Sequence, residues 1–176
     1  MGSITRTLAN NITTGGVILP SGINNTSISN VTALPAAIST GKVLQVVQGS
    51  TSTEVTHSTS YADTGLSASI TPSSTSNKIF VSINQHCYNQ GNQGMSIKLL
   101  RGSTAIYTPS QSYMYYIETA DSHIRGYQTY NYLDTPSSTS ALTYKTQVIA
   151  YNSSYNVKTQ SSGRWTSFIT LMEVAG

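Results

Sequence analysis

Charged side chains are the scarcest class in this sequence. Nine Lys/Arg and six Asp/Glu make 15 of 176 residues, or 9%, against about 25% in an ordinary soluble domain. That scarcity disfavours a helical cytosolic enzyme, whose helices are built largely from Glu, Lys, Arg and Gln. A single cysteine, Cys87, excludes an intrachain disulfide; the residue reads as a small buried hydrophobe on a strand. No apolar run approaches the roughly 18 residues of a membrane span, and Met1 to Arg6 lacks the pattern of a signal peptide. There is no phosphate-binding glycine loop, no Gly-x-Ser-x-Gly elbow and no His-Glu-x-x-His. The six carboxylates (Glu54, Asp63, Glu118, Asp121, Asp134 and Glu173) form no local pair of the kind acid–base catalysis uses. Asp121-x-His123 comes nearest to a metal motif and needs a third ligand, His57 or His86, from another strand. No catalytic residue, cofactor or metal is therefore expected.

Small hydroxyls fill the place of charge. The chain has 28 Ser and 25 Thr, and 12 Asn and 9 Gln bring the uncharged polar set to 74. Apolar residues still make up 38%, enough to exclude disorder driven by polarity. Thr, Val, Ile and Tyr are abundant while helix formers are thin, so the expected class is all-β. Net charge is +3 and the isoelectric point about 9. The nine basic residues are scattered, with only Lys98 and Arg101 close together, and no stripe suited to phosphates emerges. Nucleic acid and membrane insertion are not expected among the partners.

Composition divides the chain at about residue 40. Residues 1–40 hold one charge, Arg6, no aromatic residue and repeated turn signals. Their aliphatics include Ile4, Leu8, Ile12, Val17, Leu19, Ile23, Ile28, Val31 and Leu34, too dispersed for an independent core. The segment reads as a disordered leader, a linker, or an arm or stalk laid on another protein; the stranded aliphatics favour the arm. Residues 41–176 carry short β-rich runs at 42–48, 51–59, 66–71, 78–88, 95–100, 105–108, 113–118, 123–133, 141–151, 157–160 and 165–174. Ile79, Val81 and Ile83 share one face, as do Leu66, Ala68 and Ile70, and 165–174 reads as a central buried strand. So many short strands without a helical segment predict an antiparallel sandwich or jelly roll.

Seven of twelve tyrosines fall within 26 positions: Tyr107, Tyr113, Tyr115, Tyr116, Tyr127, Tyr130 and Tyr132. Tyrosine offers apolar area and a hydroxyl at low entropic cost, which suits recognition surfaces. Tyr113, Tyr115, Tyr116, Tyr127, Tyr130 and Tyr132 are the candidates for a subunit or receptor interface, with ordinary packing as the alternative.

Several segments together resemble a module of tailed-phage virion proteins: Gly41-Lys-Val-Leu-Gln-Val-Val47, Tyr61-Ala-Asp-Thr-Gly-Leu66, Ile70-Thr-Pro-Ser-Ser74, Ser76-Asn-Lys-Ile-Phe-Val81, Leu100-Arg-Gly102, Leu133-Asp-Thr-Pro136 and Thr170-Leu-Met-Glu-Val174. The match covers Gly41 to Val174. It implies a trimeric jelly-roll head, related in shape to tumour necrosis factor-like domains, carried on a fibre, spike or capsid, with no catalytic residues to transfer. The short leader, for which anchoring is implied, favours a capsid cement or decoration homotrimer, or a head fibre. The expected location is the virion surface, and the expected partners are further copies of the chain and the major capsid protein or another virion protein. The alternative is a tail-fibre tip that recognises host-surface glycans or receptors.

Overall fold

The runs of β-branched and aromatic residues fold as eleven strands, described here from a computed structural model: β1 (Val43–Thr51), β2 (Val55–His57), β3 (Ala62–Ile70), β4 (Lys78–Gln90), β5 (Gln93–Arg101), β6 (Thr104–Tyr107), β7 (Tyr115–Ile117), β8 (His123–Asp134), β9 (Leu142–Ala150), β10 (Val157–Thr159) and β11 (Ser167–Val174). The structure describes residues 42–91, 93–109, 115–117 (backbone), 123–154 and 156–176. The nine candidate interface aliphatics within residues 1–40, Tyr113, Glu118 and Asp121 lie outside them, as do the side chains of Tyr115 and Tyr116. All strand pairs are antiparallel, so the class is all-β, as composition predicts.

Pairs of short strands continue one another. β1 and then β2 run against β11 and then β10, from Val43 opposite Val174 to Thr51 opposite Ser167, resuming at Val55 opposite Thr159. Between them residues 52–54 face a longer excursion, 160–166. This excursion is why the run expected over 51–59 breaks in two. β6 and β7 likewise follow each other along one edge of β5. The first sheet thus reads β1/β2, β11/β10, β4, β8 across, and the second β3, β9, β5, β6/β7. β11 lies between β1 and β4, the central place its composition predicts. β3 starts at Ala62, before the expected 66. Its register against β9 shifts between Asp63 and Ser67, and Gly65 takes φ +80° there, a left-handed conformation that suits glycine; the irregularity hides the alternation.

The two sheets pack face to face through their inward residues. Leu66, Ala68 and Ile70 of β3, Leu99 of β5 and Tyr144 of β9 meet Ile79, Val81 and Ile83 of β4 and Ile169 and Leu171 of β11. A second group, Cys87, Met95, Ile97, Val148, Ala150 and Val157, fills the other half. Each of these aliphatics contributes about 1.5–3 kcal/mol by leaving water. A buried polar layer divides the halves. Gln85 donates from Nε2 to Ser167 Oγ at 3.0 Å and accepts at Oε1 from Thr146 Oγ1 at 2.9 Å; Thr146 and Thr64 hydroxyls stand 2.6 Å apart. The Gln160 amide lies 2.7 Å from Ser167 Oγ. Inside a low-dielectric core such a layer rewards one register and penalises others, since a slip leaves buried groups unpaired.

One end of the core is closed by a carboxylate. Glu173 is fully buried and accepts from Gln45 Nε2 (2.6 Å), Asn77 Nδ2 (2.6 Å), Ser73 N (2.6 Å) and Ser73 Oγ (2.8 Å). Burial works to raise its pKa, but these donors outweigh it and hold the group down at about 2. Nearby in the interior, Asp134 accepts from Arg101 Nη1 at 2.7 Å and from the Tyr144 hydroxyl at 2.6 Å. Glu173 is ionised in the folded chain and takes up a proton near pH 4.5 in the unfolded one. Its contribution is therefore complete above that pH and is lost as pH falls towards 2. Glu173→Gln turns an amide NH2 towards those donors and is expected to cost about 2 kcal/mol or more. Thermal melts at pH 7 should show a clear fall in Tm, with a shallower loss of stability below pH 4.5 than in the wild type.

Candidate functional site

Because side chains alternate, residues next to the core-facing ones form an outer face on each sheet. The register of the first sheet sets its outer residues in transverse rows. Val46, Met172, Phe80 and Leu133 stand opposite one another across all four strands. The next row is Gln48, Thr170, Ser82 and Asn131, and then Ser50, Phe168, Asn84 and Thr129. A fourth, shorter row pairs His86 with Tyr127. These fourteen positions contain no Lys, Arg, Asp or Glu. Large apolar groups nevertheless stand in the open there: Val46 is 57% exposed, Leu133 51% and Phe168 37%. Charge on this face stands beyond those rows, at Lys78 opposite Val174 and at Arg125 and Lys158 opposite Tyr88; the outer face of the second sheet is charged too. It carries Asp63, Lys98 and Lys145, with Lys145 Nζ at 2.7 Å from Asp63 Oδ2 and Lys98 Nζ 4.1 Å above the Tyr61 ring.

At one end of the first sheet's outer face the aromatics gather. Trp165 stacks on His86, with ring centroids 4.9 Å apart and planes 6° from parallel. Tyr127 meets both rings edge-on and donates its hydroxyl to the Thr166 carbonyl at 3.1 Å. Beyond them the Arg125 guanidinium lies over the Tyr88 ring at 4.8 Å. Trp165 owes its position to the 160–166 excursion, where Gln160, Ser162 and Gly163 take φ of +49°, +63° and +62°. A carboxylate fastens this turn. Glu54 accepts from Ser162 N and from Lys158 Nζ at 2.8 Å, and the Lys158 hydrogen bond foremost lowers its pKa.

The expected tyrosine surface divides across β8. Tyr127 points outward, as described. Tyr130 and Tyr132 point inward and approach Tyr107 of β6, with centroids 5.7 and 6.5 Å apart, packing against the first core group. Cys87 is fully buried, and burial raises its thiol pKa far above the ordinary value. His57 is buried on β2 with Nε2 3.0 Å from Thr159 Oγ1, His86 lies under Trp165, and His123 is exposed at the start of β8. These three do not converge: among the described residues no group of three His, Cys, Asp or Glu is placed to hold a metal. A cavity of about 70 Å³ opens at Asp63, Gly65, Leu66, Ser67, Lys145 and Thr146. Its carboxylate is already engaged by Lys145 and by Gln147 Nε2 at 2.7 Å.

Val46, Phe80, Met172, Leu133, His86 and Trp165 were not foreseen as one surface. Alternation separates the two faces of a strand, but the rows exist only once four strands are in register. The lone tryptophan was the available signal. No protein-family model matches the chain, and no curated protein matches it. Replacing Glu54 by Gln should loosen the excursion while leaving the sandwich intact. Hydrogen exchange at the amides of 161–163 is expected to rise about threefold to tenfold, the loss of one charge-assisted hydrogen bond, with the strands unchanged.

Proposed function

We propose that this chain is a non-enzymatic virion surface protein, a homotrimer with a jelly-roll head that cements or decorates a capsid or forms a head fibre. The observation that carries the self-association is the outer face of the first sheet. A sheet face whose fourteen central positions carry no Lys, Arg, Asp or Glu, crossed by an exposed apolar row, has the depletion of charge that marks the centre of a subunit contact. A second copy is the occupant it suits, and closure of such a contact around an axis gives a ring of subunits. The opposite sheet, with its ion pair and lysines, then faces solvent.

The strand path supports the jelly-roll reading. Counting β1/β2, β6/β7 and β10/β11 as single strands gives eight, four in each sheet, and six of the seven connections cross between sheets. The segments that carry the resemblance to phage virion modules also interlock physically. Gln45, Ser73 and Asn77, from three of them, converge on Glu173 of the last. Arg101 of a fifth pairs with Asp134 of a sixth. The motifs are therefore ties of one framework, which supports reading them as a module. The arm, with its dispersed aliphatics from Ile4 to Leu34, serves as the contact with the capsid or another virion protein. The alternative, a glycan-recognising tail-fibre tip, draws on the exposed Trp165 and is tested by a glycan array.

Light scattering during gel filtration should give a particle of three times 18.8 kDa. Leu133→Asp puts a charge into the apolar row and should release single chains with an unchanged far-UV spectrum; a wild-type monomer would overturn the assignment. Removing residues 1–40 should leave the β spectrum of the head and abolish co-sedimentation with particles. Continued co-sedimentation would assign anchoring to the head instead.

A further inference from the structure

The excursion that carries Trp165 is held down by a histidine whose protonation state matters. His86 is 1% exposed, lying beneath Trp165 and beside Tyr127. The buried Ser161 donates its backbone N–H to His86 Nδ1 at 3.4 Å. An Nδ1 that accepts a hydrogen bond belongs to a neutral ring with its proton on Nε2, and that Nε2 is buried with no hydrogen-bond partner among the described residues. The segment being held is strained. Gln160 and Ser162 are non-glycine residues in left-handed conformations, which are strained and persist only where surrounding contacts hold them.

Protonation of this ring removes the acceptor. An imidazolium is a donor at both nitrogens, so Nδ1–H would confront Ser161 N–H, and Nε2–H would stay buried without a partner. The charged neighbours add to the cost. Arg125 faces the ring from β8 and Arg164 sits beside Trp165 on the excursion, while Lys158 of β10 is balanced by Glu54. The other titratable neighbours are phenols, Tyr127 on β8 and Tyr88 on its own strand. Attraction between the indole face and a cation offsets part of this, without replacing the lost backbone bond. We propose that His86 is an acid-sensitive latch: a proton arriving on Nδ1 releases Ser161 and lifts the Trp165 excursion from the outer face of the first sheet. Burial first, and Arg125 second, lower the pKa of the ring, so the latch is closed at neutral pH and opens below the range of an ordinary histidine. The inference stands on the single chain and does not depend on self-association.

The chain has one tryptophan, so its fluorescence reports the latch directly. Full-length protein titrated from about pH 7.5 to about pH 4.5 should show a one-proton step with a red shift of the emission maximum. The far-UV spectrum should hold constant, and exchange of the Ser161 amide should rise about tenfold after correction for intrinsic rates. His86→Gln supplies an uncharged acceptor and should give a flat profile. His57→Gln, removing the other buried histidine, should keep the step; burial pushes that ring down to about 4. Flat emission in the wild type, a step that survives in His86→Gln, or one lost in His57→Gln would each overturn the latch. Should His86→Gln fail to fold, the wild-type His86 ring resonances decide: titration together with the Ser161 amide supports the latch, and titration without it overturns the proposal.

Discussion

The organisation of this protein depends on one constraint, that β4 serves two different surroundings with alternate side chains. It is the longest strand and pairs with β8 along one edge and with β11 and β10 along the other. Its inward residues, Ile79, Val81, Ile83, Gln85 and Cys87, pass in order through the first core group, the polar layer and the second core group. Four of its outward residues, Phe80, Ser82, Asn84 and His86, each anchor one of the uncharged rows. A period of two leaves no freedom between these sets, because a slip by one residue would exchange them. The same register that builds the core therefore writes the surface.

Scarcity of charge has a physical counterpart inside the fold. Three ion pairs are present among the described residues, and much of the tying together is done by hydroxyls and amides. Glu173 is stabilised as an anion by four neutral donors, and Gln85 bridges Thr146 to Ser167 across the core. Groups of this kind carry smaller desolvation penalties than ions. A chain rich in Ser, Thr, Asn and Gln can thus satisfy its interior and also present a face whose central rows hold no ionic charge.

Much of the architecture was legible in the residues. The strands at 78–88, 95–100, 123–133, 141–151 and 157–160 fall within two residues of those found, since alternation bounded by Gly, Pro and Ser clusters is a local signal. The inward positions of Ile79, Val81 and Ile83 followed from it. Elsewhere local signals misled. Gly65 hides the true start of β3, and the 160–166 excursion splits one expected strand by opposing three residues with seven. The tyrosine cluster was compact in sequence, yet Tyr127 lies on one side of β8 and Tyr130 and Tyr132 on the other, because even and odd positions of a strand diverge.

By itself, then, the sequence determined the all-β class, most of the strand positions and which side chains share a strand face, because these depend on neighbours within a few residues. Only the tertiary structure decided which distant residues meet. Glu173 finds Gln45 across 128 positions of chain, Arg101 finds Asp134, and His86 finds Ser161 and Trp165. Four strands remote in sequence align Val46, Met172, Phe80 and Leu133 into one row. These arrangements depend on the order and register of strands across a sheet, which backbone hydrogen bonds set cooperatively and no short segment encodes.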